Sequence, residues 1–182
     1  VFHPDCGMAV AIVGYAGEIY CVNGFNEKGF FLELNNGMPS AGWDIHWDLC
    51  PSTCRLLELL LKAETMDEVD SFFNTTQSSA SFIIGVCNKD EARIYEWCHE
   101  GVNRGDSADC GGVVASANHY VSKKWDYALP NDESSWNSIT RRANLLKMAE
   151  KYKGGIDVET MEEIMSAPLE DGGPFHNLTR YQ

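Results

Sequence analysis

The stretch VNGFNEKGFFLELNNGMP, at residues 22–39, decides the fold of this chain. A β-rich run, MAVAIVGYAGEIYCV, precedes it, and a short apolar run ending in paired asparagines follows its turn. Gly24, Asn26 and Gly29 tolerate the positive φ angles that tight turns require. The pattern predicts a hairpin with a tight turn at residues 26–29 and a strand that ends at Asn36.

Length and composition favour one globular domain over residues 1–182, since the chain has 44% hydrophobic residues and can bury a sizeable core. Its formal net charge is -13 and its pI is about 4.7. An acidic chain repels phosphate backbones and anionic lipids, which argues against nucleic acid and membrane surfaces as partners. No apolar run is long enough to span a bilayer. The oligomeric state stays open, a homo-oligomer included.

The cysteines number seven, an odd count for a disulfide framework, and none is in the Cys-x-x-Cys spacing of zinc sites. Cys21 and Cys87 lie in apolar runs and are expected to pack as small hydrophobic residues. A metal site remains an alternative, with Cys50, Cys54, Cys98 and His99 as its ligands, but we expect no metal and no cofactor. A reduced, cytoplasmic protein is the default expectation, and a secreted one is the alternative if a leader was removed.

The order of the predicted elements is strands, two helices, strands, then helices. Strands are predicted at residues 8–14, 18–23, 30–34, 81–86, 93–97 and 113–117. Helices are predicted from Pro51 through the leucines up to residue 61, and at residues 66–73 and 138–152. Thr65 and Glu68 have the spacing of a capping box at the start of the second of these helices. Asp157 is predicted to cap a last helix that runs through Met165. An irregular loop covers residues 37–48. Segregated blocks of this kind predict an α+β protein.

Two later segments carry polar side chains at the ends of predicted elements. The run VVASANHY, at residues 113–120, is an apolar strand that delivers Asn118 and His119. The run SSWNSITRR, at residues 134–142, starts a helix with the spacing Ser-x-x-Arg between Ser138 and Arg141. An arginine pair at a helix start is poorly placed for the helix dipole, which suggests a role other than helix stabilisation.

Together the Asn-Glu-Lys-Gly turn, the Asn-His strand end and the Ser-x-x-Arg helix start resemble the cysteine N-terminal-nucleophile amidohydrolases. This family includes the choloylglycine (bile-salt) hydrolases, the penicillin V acylases and the penicillin acyltransferases. The resemblance implies an αββα sandwich, in which two antiparallel sheets lie between helix layers. Because the three segments follow one another in the family order, the resemblance covers most of the chain.

The resemblance also implies site residues. Asn118 matches the asparagine that donates its side-chain amide to the oxyanion of the tetrahedral intermediate, a role that a neutral amide suits. Arg141 matches the arginine that reaches into the active site, where a guanidinium can hold a carboxylate or keep a terminal amine deprotonated. Asn36 is expected to line the oxyanion region. His119 has no catalytic role in the family and is expected to be half-buried and hydrogen-bonded.

The substrate-binding residues are expected on the hairpin and on the loop that follows it. Asn35 or Asn36 matches the strand end that forms one wall of the acyl pocket, and Asn35 is the candidate for contact with the substrate. Trp43 and Trp47 are candidates for the apolar lining of the pocket. Core packing is the alternative for both tryptophans.

The family's nucleophile is a cysteine at the mature N-terminus, whose own α-amine serves as the base. Cys6 lies too close to the hairpin to match it, and no Arg and Asp in the family pattern follow. The chain therefore resembles the middle of a longer enzyme, incomplete at both ends, with the nucleophile outside it. We expect these 182 residues alone not to hydrolyse amides.

The leading function hypothesis is a hydrolase or acyltransferase that acts on a small-molecule linear amide through a cysteine acyl-enzyme. The alternative is a non-catalytic binding protein for small molecules on the same scaffold. A cysteine- and histidine-ligated metal protein is the third hypothesis. The sequence does not decide which amide is cleaved.

Overall fold

Six strands form one antiparallel sheet in the computed structural model, which describes residues 1–17, 20–106 and 111–176. The strands are β1 (Val10–Val13), β2 (Asn23–Asn26), β3 (Phe31–Asn36), β4 (Phe82–Cys87), β5 (Ala92–Cys98) and β6 (Gly101–Asp106). Each strand pairs with the next one in sequence, so the sheet is a meander. Phe25 lies opposite Phe31, as the predicted hairpin requires.

The helices within the described residues are α1 (Met38–Ala41), α2 (Ser52–Lys62), α3 (Met66–Thr75), α4 (Ser138–Lys151) and α5 (Val158–Ser166), and a 3₁₀ turn follows at Leu169–Asp171. The predicted capping box at the start of α3 is confirmed, because Thr65 and Glu68 exchange the expected hydrogen bonds. Asp157 caps α5 by accepting a bond from the Thr160 amide at 2.8 Å. Every helix in these ranges is too short or too polar to cross a bilayer.

The hydrophobic core lies between α2, α3 and one face of the sheet. Side chains alternate along each strand, so Leu32, Ile84 and Trp97 point to this face and are at most 1% exposed. Leu56 and Phe73 meet them from the two helices. Fully burying a side chain of this size contributes about 1.5–3 kcal/mol, so this layer is the main source of stability.

Asn26 ties the hairpin turn to the end of α2. Its side-chain Nδ2 donates to the carbonyl oxygens of Leu60 and Ala63, each at 3.0 Å. Its Oδ1 accepts from the backbone amides of Lys28 and Phe30, each at 3.1 Å. The residue is 2% exposed, so one buried side chain satisfies both the tight turn and the free carbonyls of a helix end.

The opposite face of the sheet has a different cover. Residues 113–127 and part of α4 pack over β4, β5 and β6 there. The second sheet of the expected sandwich is not formed by the described residues. Phe25 and Phe31, which the strand alternation directs to this face, are 51% and 40% exposed.

The sequence predictions differ from the structure at four places, one of which is the irregular loop predicted at residues 37–48, where the short helix α1 forms. The strand predicted at residues 113–117 is irregular backbone, and the Ala115 carbonyl accepts from Arg142 Nε at 2.9 Å instead of from a neighbouring strand. The strand predicted at residues 18–23 begins only at Asn23, and residues 18 and 19 lie outside the described residues. Strand β6 was not predicted, because its sequence GVNRGD has low β propensity and pairing with β5 overrides it.

Replacing Asn26 by alanine leaves two carbonyls and two amides without their partner, and each buried unpaired group costs about 1–3 kcal/mol. We expect Asn26→Ala to lower the free energy of unfolding by about 3 kcal/mol or more in urea denaturation. Asn88→Ala is the matched control, because Asn88 closes the β4–β5 turn with two bonds but contacts no helix end. Its expected loss is about 1 kcal/mol, and equal losses would contradict the role of Asn26 in joining hairpin and helix.

Candidate active site

The side-chain amide of Asn118 joins two segments that are far apart in sequence. Its Nδ2 donates to the Asn36 carbonyl oxygen at 3.0 Å, and its Oδ1 accepts from Arg141 Nη2 at 2.5 Å. The three residues predicted to share a cleft therefore lie together. Because the guanidinium can only donate, it fixes which end of the amide is oxygen and which is nitrogen. One of the two Nδ2 hydrogens has no acceptor within the described residues.

Asn36 contributes to this cluster through its backbone. Its side-chain Oδ1 accepts from the Met38 amide at 2.9 Å and so closes the turn into α1. The expectation that the Asn36 side chain lines the oxyanion region thus has less support than the role of Asn118. The turn passes close to an aromatic ring, since a Cβ on Gly37 would lie 2.6 Å from Tyr120. Glycine at position 37 lets the backbone after β3 approach the Tyr120 ring.

Arg141 is half-buried, and its partners are neutral oxygens. Besides Asn118, its Nε donates to the Trp136 carbonyl at 2.8 Å. Burial lowers the pKa of Arg141, and Asp132 opposes that effect. Within the described part of the chain no carboxylate lies in salt-bridge distance of this guanidinium. The site therefore holds a partly desolvated positive charge that suits a carboxylate or a developing oxyanion.

The backbone before α4 is strained. Trp136 and Asn137 have φ angles of 57° and 54°, which place two consecutive non-glycine residues in the left-handed region. For a bulky residue such as tryptophan this conformation is uncommon and costs on the order of 1 kcal/mol or more. It turns the Trp136 carbonyl toward Arg141 Nε. Trp43 packs edge-on against the Trp136 ring at a centroid distance of 6.5 Å, so it borders the site while 63% exposed.

Asp132 caps α4, although five residues separate it from the helix start. Its carboxylate accepts from the amide of Ile139 at 2.7 Å and from the amide and hydroxyl of Thr140. These amides belong to the second and third helical residues, the usual partners of an N-cap side chain. Burial alone would raise the pKa of Asp132, but the bonds from Thr140 and Ile139 outweigh burial and lower it.

Asn35 points to a different polar group from Asn36. Its Nδ2 donates to Ser116 Oγ at 3.2 Å and to Glu33 Oε1 at 3.3 Å. Burial raises the pKa of Glu33, against the hydrogen bonds from Ser116 and Asn35. These contacts attach the segment before Asn118 to β3. Among the described residues, Asn35 therefore has a structural role. Its substrate-binding role remains a prediction.

His119 and Ser138 lie directly behind Asn118. Ser138 Oγ accepts from the Asn118 backbone amide at 2.6 Å and lies 2.8 Å from His119 Nδ1. Ser138 is 0% exposed and His119 is 5% exposed. Burial, followed by the charges of Arg142 and Arg141, lowers the pKa of His119, so the ring is neutral at pH 7. His119 is thus buried and hydrogen-bonded, more deeply than the sequence suggested.

An apolar cavity of about 390 Å³ lies beyond His119, between the second face of the sheet and α4. Its apolar walls include Ile83, Ile94 and Leu146. Glu96, 3% exposed, lines it too and accepts from the backbone amides of Val121 and Ser122. The carboxylate thereby holds the turn that follows the Asn118 segment.

The other residues that the sequence analysis proposed, Trp47 and the cysteines, are not part of the cluster of Asn36, Asn118 and Arg141. Trp47 is 86% exposed, so core packing is excluded for it. Within the described residues it has no hydrogen bond or ring contact with Asn118. Cys98 packs with Tyr120 in a buried group, and burial raises its thiol pKa. Burial raises the pKa of Cys21 to about 12. Cys110 lies outside the described residues. No three cysteine, histidine or acidic side chains in the described ranges are grouped as a metal site requires.

The arrangement can place a preset amide N–H and a desolvated guanidinium next to developing negative charge. Sequence reasoning identified the asparagine and the arginine but missed their supports. A sequence signal for Ser138 exists, because it is the first residue of the Ser-x-x-Arg pattern. No sequence signal points to Asp132, because its separation from the start of α4 along the chain matches no local capping pattern.

Solved structures resemble this fold, whereas the sequence matches no protein-family model and no curated protein. An N-acylethanolamine-hydrolyzing acid amidase ortholog from Caenorhabditis elegans superposes with a TM-score of 0.62 at 15% identity, covering 88% of this chain and 74% of that one. Two variants of the conjugated bile acid hydrolase from Clostridium perfringens give TM-scores of 0.51 and 0.52 at 15% and 13% identity. The match covers 84% of this chain and 61% and 60% of theirs. These neighbours are choloylglycine hydrolase-like N-terminal-nucleophile hydrolases, so the resemblance is confirmed for the fold.

Removing the Asp132 carboxylate uncovers the amides at the start of α4. We expect Asp132→Ala to lower the free energy of unfolding by about 1–2 kcal/mol at pH 7 in urea denaturation. Folding lowers the pKa of Asp132. The carboxylate therefore stabilises the fold at pH values above its ordinary pKa of about 4, and this stabilisation is lost as the pH falls. The difference between wild type and variant should therefore shrink below about pH 4. Asp67→Ala, at an exposed first-turn position in α3, is the control, and an equal loss there would contradict the capping role.

Proposed function

We propose that this protein is an amide hydrolase for linear, non-peptide C–N bonds, and that Asn118 and Arg141 form part of its active site. The observation that carries the proposal is the Asn118 amide, whose oxygen is held by Arg141 and whose nitrogen has one hydrogen without an acceptor among the described residues. An amide held in this way directs a dipole at the negative charge of a tetrahedral intermediate and needs no rearrangement to do so.

Arg141 supports the same chemistry. Its guanidinium polarises the Asn118 carbonyl through the 2.5 Å hydrogen bond, which makes the amide N–H a stronger donor. The positive charge is half-buried and has no carboxylate partner in the described residues, so it also stabilises an oxyanion or a substrate carboxylate nearby.

The nucleophile in this proposal is a cysteine thiol in a segment beyond the 182 residues, with its own α-amine as base. The thiolate attacks the amide carbonyl, the amine leaves with a proton from the base, and an acyl-enzyme remains. Water, or an acceptor amine in an acyltransferase, then releases the acyl group. Within the described residues, Cys21 and Cys98 have thiols whose pKa values burial raises, which is the opposite of what a nucleophile needs.

The substrate class follows from the surroundings of the cluster. The exposed edge of Trp43 against Trp136 and the apolar cavity behind His119 favour a substrate with an apolar acyl group. The fold neighbours are named for hydrolysis of N-acylethanolamines and of conjugated bile acids, which makes one compound of each class a suitable probe.

A non-catalytic binding protein is the second candidate function. The observation that favours it is that no described cysteine hydrogen-bonds to Asn118 or Arg141. A binding protein would hold an anion or an amide at these two residues without attacking it. The two candidates differ in turnover, which is measurable.

The test compares Asn118 variants of the full gene product with both amide probes. Asn118→Asp keeps an oxygen for Arg141 but has no N–H to donate. We expect it to lower kcat about 10²- to 10³-fold while KM changes little, because the donor acts on the transition state. Steady-state kinetics measures the two constants, and circular dichroism checks that the variant folds.

Asn74→Ala is the control, because Asn74 lies at the exposed end of α3 and bonds only within that helix. We expect kinetics like those of the wild type from it. If Asn118→Asp has the kcat of the wild type, the side-chain amide of Asn118 does not contribute to catalysis. Binding of a probe without any turnover by the wild-type product would instead establish the binding protein.

A further inference from the structure

The Ser138 hydroxyl forms hydrogen bonds with two groups, the Asn118 backbone amide and the His119 ring. Its oxygen accepts from the Asn118 backbone amide at 2.6 Å, and His119 Nδ1 lies 2.8 Å away. A neutral imidazole can accept the hydroxyl hydrogen at Nδ1 while carrying its own hydrogen on Nε2. In that state the serine donates once, accepts once and is fully satisfied, as a 0% exposed hydroxyl requires.

Protonation of His119 breaks this arrangement. The Nδ1 of an imidazolium can only donate, so the Ser138 oxygen has to accept from both His119 and Asn118. The hydroxyl hydrogen then has no acceptor among the described residues, and an unsatisfied buried donor is costly. The favourable response is movement of Ser138, Asn118 or both.

The charges around His119 come from three elements. Arg141 and Arg142 face it from α4, Asp132 faces it from the loop before α4, and Glu96 of β5 lines the same cavity. Burial is the largest effect and lowers the pKa of His119, the two arginines add to it, and Asp132 opposes it. The midpoint of His119 protonation is therefore expected below the ordinary histidine value of about 6.5.

We propose that Ser138 is the positioning residue for Asn118, and that protonation of His119 displaces Asn118 through the hydroxyl that both share. Ser138 starts α4 and Arg141 follows one turn later, so the same helix holds the backbone and the side chain of Asn118. The consequence for catalysis rests on the proposed function, whereas the coupling between His119 and Asn118 does not.

Nuclear magnetic resonance of the 182-residue chain tests the coupling without any need for activity. Long-range ¹H–¹⁵N spectra should show neutral His119 with its hydrogen on Nε2 at pH 7. On acidification, the Asn118 backbone amide shift should move with the same midpoint as the His119 ring, below about pH 6.5. Separate midpoints, or a hydrogen on Nδ1 at pH 7, would overturn the proposal.

Variants separate this role from a merely structural one. Ser138→Ala should uncouple the Asn118 amide from the His119 titration, and Ser138→Thr, which keeps the hydroxyl, should restore the coupling. Ser134→Ala is the matched control, because Ser134 is exposed in the preceding loop and bonds only to Asn131. If Ser138→Ala does not fold, His119→Asn decides, since it keeps an acceptor near Ser138 and should abolish the acid-dependent shift of Asn118. A shift that persists in His119→Asn would refute the coupling.

Activity of the full gene product gives the second readout. Ser138→Ala should lower kcat about tenfold to a hundredfold with KM nearly unchanged, as expected when a catalytic group is misplaced by about 1 Å. We expect the wild type to lose kcat at acidic pH as His119 is protonated, and His119→Asn to lack this loss. If His119 and Asn118 titrate together but no amide is turned over, the positioning role of Ser138 stands and the hydrolase proposal is wrong. The two proposals can therefore fail independently.

Discussion

The site depends on the planar amide of Asn118, which links the end of β3 to the first turn of α4. An amide offers a donor at one end and an acceptor at the other, and here the Asn36 carbonyl and the Arg141 guanidinium occupy them. Neither partner can exchange roles, since a carbonyl only accepts and a guanidinium only donates. The orientation of the amide is therefore set by chemistry as well as by packing, which is the preorganisation that oxyanion stabilisation requires.

The cost of this arrangement lies in the segment before α4. Two left-handed residues, Trp136 and Asn137, store strain so that a carbonyl can reach Arg141. Asp132 offsets part of that cost, because it satisfies the helix amides that a residue in the left-handed conformation leaves uncapped. The helix start thus combines a strained backbone, a remote cap and a half-buried charge. Such a combination is typical of a functional site rather than of an ordinary helix end.

The two faces of the sheet carry different kinds of contact. One face carries the core with α2 and α3, where Asn26 satisfies the hairpin turn and the last carbonyls of α2. The other face carries the polar contacts of Asn35, the buried Glu96 and the cavity behind His119. Because the side chains of a strand alternate between faces, consecutive residues such as Asn35 and Asn36 serve different groups.

The sequence by itself determined the elements whose signals are local. The hairpin around Asn26, the capping box at Thr65 and the cap at Asp157 depend on residues within a few positions of each other, and all three are present. The likeness of three short segments to a known family also predicted the fold and the proximity of Asn118 and Arg141.

Only the tertiary structure decided the contacts between distant segments. Residues 113–117 have the composition of a strand, yet they bond to side chains of β3 and α4, while the glycine-containing β6 is held as a strand by its pairing with β5. The remote cap of Asp132 and the hydroxyl that Ser138 shares with His119 have no sequence spacing that reveals them. Hydrogen bonds of this kind form only after the sheet has brought the segments together, so their partners are set by packing and not by local propensity.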